Sequence, residues 1–208
     1  MKKLCLFGLL LLAAATSWAK GLSFAEEMHG YAYYQGEYRK IDVYLSITIN
    51  DIDAWRSNQN YPSTVTGTMN VERLASQAVT GTLQILAPAP AANGRLLTYR
   101  LAGSALQFNG IKFVHDDGGF DLVDDTTTLR GVLQDRGQPV PAIDDLLNHA
   151  AWTAEMQFEW WKPAVLLNFV ASFKTISTPW YEDLLVKAQF ISTAFGAVGR
   201  VFFPWAYL

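Results

Sequence analysis

Cysteine is almost missing from this chain: of 208 residues only Cys5 carries a thiol, inside an apolar run near the N-terminus. A lone cysteine cannot form an intrachain disulfide, so the domain must hold together by its core. Charge is scarce too. Asp, Glu, Lys and Arg make up 17% of the residues, against about 25% in ordinary globular domains. Beyond Lys2-Lys3 at the N-terminus basic residues do not cluster, the densest pair being Arg39-Lys40. Binding a phosphate backbone takes clustered Lys and Arg, which argues against nucleic acid as a partner. His29, His115 and His149 are far apart, without the short spacing of a zinc motif, and no metal is expected. Neither Gly-x-Ser-x-Gly nor Gly-x-Gly-x-x-Gly occurs. The first absence removes the nucleophile elbow. The second removes the dinucleotide fingerprint, and no cofactor is expected.

What is present begins with an address. Lys2 and Lys3 precede an apolar stretch over 4–15, and Ser17-Trp18-Ala19 puts small residues where a signal peptidase reads them. That is the layout of a secretory signal peptide. The apolar stretch is 12 residues long, short of the roughly 20 that a membrane-spanning helix needs. Cleavage after Ala19 is expected to leave one exported domain of 189 residues, 20–208, with 14 basic and 19 acidic side chains. The signal is of bacterial type, which implies the periplasm or secretion.

The first half reads as strands. Ile41, Val43, Leu45, Ile47 and Ile49 alternate with Asp42, Tyr44, Ser46, Thr48 and Asn50, the period of a strand with one buried face. Phe24, Glu26, Met28 and Gly30 open an earlier strand that ends near Gly36, and Asp51 is placed to cap a helical turn over 52–58. Further strands are expected over 63–74, 77–86, 95–102 and 105–115, rich in Thr, Val, Ile, Leu and aromatics. Short connections between them predict antiparallel meanders.

After His115 the pattern changes. Asp124-Asp125-Thr126 predicts an N-cap and a helix through Leu133, with Leu129, Val132 and Leu133 on one side. A short helix over 143–150 follows, then a strand over 154–160. Over 164–176, Phe169, Ala171, Phe173 and Thr175 alternate, which predicts another strand. From Pro179 to Val198 the period is helical, with Leu184, Leu185, Ala188, Ile191 and Phe195 on the expected packing face, and an uncharged aromatic segment closes the chain. The expected fold is α+β: an antiparallel β-barrel, closed as in lipocalins, or a β-sandwich, with late helices including a C-terminal amphipathic one.

Asp116, Asp117, Asp121, Asp124 and Asp125 lie within ten residues. Their order is not that of a calcium loop, and a helix start explains them better. His115 with Asp121 is the weak candidate for an acid–base pair. The aromatics say more: 7 Trp, 9 Tyr and 12 Phe fill a core, line an apolar ligand cavity or face a membrane. The expected ligand-contacting residues are Phe158, Trp160, Leu184, Ala188, Ile191 and Phe195.

Two segments carry a family resemblance. Residues 22–31 are similar to a Phe-x-Glu-x-Met-x-Gly strand, here Phe24, Glu26, Met28 and Gly30. Residues 109–129 are similar to a Gly-x-Lys-x-Val-x-Asp-Asp block followed by an Asp-Thr-Thr-Thr-Leu stretch, with Val123 where the family tends to have Trp. Both resemble a small accessory domain found with cholesterol-oxidase-like GMC flavin oxidoreductases; the flavin domain itself is absent. The resemblance implies an accessory or lipid-handling module with an oxidoreductase as partner, and transfers no catalytic residue. Three functional classes therefore stand: an exported binder of a lipid or sterol-like molecule, with peripheral membrane contact; an enzyme acting on an apolar substrate; and an interaction protein without a small ligand.

Overall fold

A computed structural model describes residues 20–58, 60–89, 94–116, 122–148, 151–177 and 181–202. Residues 1–19, Asp117, Asp121, His149, Pro179 and the aromatic residues after 202 lie outside the described residues. Along the chain come β1 (Gly21–Tyr34), β2 (Glu37–Ile49), α1 (Ile52–Ser57), β3 (Pro62–Val71), β4 (Gln77–Pro88), β5 (Gly94–Ala102) and β6 (Leu106–His115). Then come α2 (Leu122–Thr127), β7 (Thr128–Asp135), α3 (Ile143–Leu147), β8 (Ala154–Gln157), α4 (Pro163–Ala171), β9 (Lys174–Ile176) and α5 (Asp183–Phe202). Asp51 caps α1, its carboxylate accepting from the backbone N–H groups of Asp53 and Ala54.

Strands β1 to β8 pair antiparallel in sequence order, and β8 returns to β1, so the sheet closes into an eight-stranded barrel. The ninth strand, β9, adds to the same edge of β1 as β8: β8 takes 29–32 and β9 takes 21–23. The β1–β2 hairpin turns through Gln35 and Gly36, both at positive φ, as a two-residue turn requires when it follows the twist of its strands.

Alternation sets the faces. Leu22, Phe24, Met28 and Ala32 of β1, with Ile41, Val43, Leu45, Ile47 and Ile49 of β2, are buried in one core with Phe108, Leu129, Leu133 and Met156. Gly110 and Gly131 are cross-strand partners, and a Cβ on Gly131 would meet the Phe108 ring at 2.8 Å; the ring occupies the place that side chains there would need. A smaller cluster lies outside the barrel, where Leu146 of α3 covers Leu96 and Ile111.

Three expectations are corrected. Residues 128–135 form strand β7, not the second half of a helix. Asp124 sits inside the six-residue α2 rather than capping it, and accepts from the Thr128 hydroxyl at 3.1 Å. The β-branched run Thr126-Thr127-Thr128 and the alternation of Leu129, Gly131 and Leu133 favour a strand, and pairing with β6 from Leu106 to Ile111 settles it. Residues 163–171 form helix α4, not a strand, with Pro163 in the first turn, where its missing N–H costs nothing; only 174–176 pair as β9.

The third correction concerns α5, which buries the face opposite to the expected one. Val186, Phe190, Ala197 and Val201 are buried, while Leu184 is 77% and Phe195 69% exposed. Both faces of this helix are apolar, so periodicity alone does not choose between them. Contact chooses: the Phe190 ring packs 5.1 Å from Trp55 and 5.8 Å from both Phe24 and Phe173. None of the helices among the described residues is long and apolar enough to cross a membrane.

Candidate ligand cavity

Between α5 and the inward-facing strand residues lies a cavity of about 380 Å³, within the roughly 300–1,000 Å³ typical of small-molecule sites. Strands β1, β4, β5 and β6 form its wall. Phe158, Phe169 and Phe173 crowd one side, α5 covers it with Phe190, Ala194, Phe195 and Val198, and α2 contributes Val123, Thr126 and Thr127. In β4 a bulge sets Ile85 and Leu86 against the single Leu97 of β5. Leu86 takes φ +56, costly for a leucine, and both Ile85 and Leu86 line the cavity as a result. A bulge that re-aims side chains toward a site is a recurrent use of this device.

Among the described lining residues two are charged, and they pair. The Lys112 ammonium, 1% exposed, donates to Glu26 Oε1. The Tyr99 hydroxyl donates to Glu26 Oε2 at 2.8 Å, and Lys112 Nζ lies 5.6 Å from the Tyr99 ring centroid. Burial, reinforced by the charge and hydrogen bond of Glu26, pushes the Tyr99 phenol well above its ordinary value. The site is thus an apolar chamber with one compact polar triad on its wall. Strands β1 and β6, one carrying Glu26 and the other Lys112, meet in this ion pair.

The residues expected at a ligand divide. Phe158 and Phe195 line the cavity. Leu184, Ala188 and Ile191 turn outward on α5, and Trp160 is 42% exposed beyond the end of β8. His115 does not line the cavity; it stacks on Phe113 at 4.4 Å and lies 3.5 Å from Asp125, whose carboxylate also accepts from the His115 backbone N–H. Its observed carboxylate neighbour is therefore Asp125; Asp121 lies outside the described residues. Glu26, Tyr99 and Lys112 were missed as a site. Their signal was nonetheless present: Glu26 shares the apolar face of Leu22, Phe24 and Met28, and Lys112 that of Phe108 and Val114. A charge on the buried face of an alternating strand demands a partner.

Comparison with known proteins finds no matching family model, and no curated protein or solved structure matches the chain.

Proposed function

We propose that this protein is an exported binder of an apolar small molecule, a lipid or sterol-like ligand, held in the barrel cavity beneath α5. The observation that carries this is the 380 Å³ chamber, walled by aliphatic and aromatic side chains and furnished with one polar triad. An apolar chamber with a few convergent polar groups is the usual form of a ligand site. Burying about ten methylenes contributes up to roughly 8 kcal/mol before ordering costs, which puts the ceiling from this burial alone at about micromolar affinity. The resemblance to an accessory domain of lipid-oxidising enzymes supports the same ligand class and an oxidoreductase as partner. His115 and its carboxylate neighbour stand outside the cavity and lend no support to acid–base chemistry on a bound ligand.

Titration with a fluorescent sterol or fatty alcohol tests this. Saturable binding with quenching of Trp55, which packs on the cavity residue Phe190, is the expected result, lost when Leu83→Trp fills the chamber. No saturable binding by any apolar probe overturns it and leaves the interaction-module alternative.

A second proposal concerns the outer surface. Leu166, Leu167 and Val170 of α4, Leu184, Leu185 and Ile191 of α5, and the Trp160–Trp161 pair are all exposed, and α4 carries no charged residue. Phe195 belongs both to the exposed surface and to the cavity lining. Trp beside apolar helix faces suits a membrane–water interface. We propose peripheral contact with a lipid surface through these helices, next to the cavity.

A further inference from the structure

We infer that the cavity selects an amphipathic ligand whose polar head is uncharged, a hydroxyl or carbonyl oxygen, and discriminates against fatty-acid anions and cationic amphiphiles. This rests on the proposed apolar-ligand function and narrows its ligand class. The chamber extends from Phe195, 69% exposed, to Lys112 and Tyr99, each 1% exposed, so a ligand head that reaches the triad is removed from water. There it meets Lys112 and Glu26 as a pair. The pair carries no net charge wherever its proton sits, and no third charged residue among the described lining residues balances an added one.

Hydrogen-bonding capacity remains for a neutral head. A lysine ammonium has three donors, of which Lys112 directs one to Glu26. A carboxylate accepts about four hydrogen bonds, and Glu26 takes one from Lys112 and one from Tyr99. A ligand carbonyl can accept from Lys112, and a ligand hydroxyl can also donate to Glu26. A ligand carboxylate drawn to Lys112 would sit beside the Glu26 carboxylate in an apolar chamber, and an ammonium drawn to Glu26 would sit beside Lys112. In both cases a buried charge is left uncompensated.

Displacement of the neutral fluorophore N-phenyl-1-naphthylamine by 1-decanol, decanal, decanoate and decylammonium tests this at neutral pH. Decanol and decanal are expected to bind at least about tenfold more tightly than either ion. Glu26→Gln removes the carboxylate that pairs with Lys112, so a decanoate carboxylate can take its place beside the ammonium, and should improve decanoate relative to decanol by at least about tenfold. Lys112→Met should not improve decanoate, and it serves as the second variant if the first fails to fold. Decanoate binding the wild type as tightly as decanol overturns the inference while leaving the ligand-binding proposal intact. An unchanged ranking in a folded Glu26→Gln protein overturns the role given to the pair. No binding of the fluorophore or of any of the four removes the ligand-binding proposal and this inference with it.

Discussion

A lysine that is 1% exposed pays several kcal/mol in lost hydration, which only a well-placed counter-charge with further hydrogen bonds offsets. Glu26 supplies the charge and Tyr99 the further bond. Lys112→Ala leaves the Glu26 carboxylate buried without its cation and should destabilise by about 3–5 kcal/mol. The double variant Glu26→Leu/Lys112→Met should lose much less, because the pair contributes little net stability over packed apolar groups; urea unfolding of both proteins checks the difference. Tyr99 gives a pH signature. Its phenol is raised well above the ordinary 10.0, by burial first and then by Glu26. Its contribution to stability is fully present below pH 10 and is lost as pH rises from there toward the folded-state value, where the unfolded chain has released a proton that the native state retains. The urea midpoint of the wild type should therefore fall as the pH is raised above about 10, and Tyr99→Phe should flatten that fall.

At the scale of elements, α5 shows a helix whose two faces compete. The face that packs is anchored by Phe190, held by Trp55, Phe24 and Phe173. Phe190→Ala should cost about 3–5 kcal/mol. Ile191→Ala, one residue along on the exposed face, should change stability by no more than about 0.5 kcal/mol. Thermal or urea unfolding of the two variants reads the assignment of faces directly; equal losses would reject it. The β4 bulge is the other decisive local feature, since it turns two successive residues, Ile85 and Leu86, into the chamber where a regular strand would offer one.

For the whole molecule, β8 closes the barrel against β1, and exposed apolar side chains are prominent on α4, on α5 and at Trp160 and Trp161. If that area meets lipid, Trp160→Ser/Trp161→Ser should reduce co-flotation with phosphatidylcholine vesicles by about tenfold or more, given that each buried apolar side chain contributes roughly 1.5–3 kcal/mol. Its urea midpoint should match the wild type. A wild-type protein that stays unbound to vesicles removes the membrane proposal without touching the cavity.

Much of the barrel was legible along the chain because strand alternation is local. The inward set Ile41, Val43, Leu45, Ile47 and Ile49 and the cap at Asp51 follow from residue type and spacing alone. So do the antiparallel α+β class and the barrel option, although alternation does not distinguish a closed barrel from a sandwich. Closure, with β8 returning to β1, depends on pairing between residues more than a hundred positions apart, such as Gly30 with Met156, and β7 is drawn out of a helix-like stretch by pairing with β6 and β8. The cavity was less legible still. Phe158 and Phe195 could be picked out as aromatics, but the burial of Phe190 instead of Leu184 follows from which surface α5 met. Nothing in local spacing brings Lys112 to Glu26. Their strands must first be rolled into one barrel, and a buried charge then requires its opposite within reach.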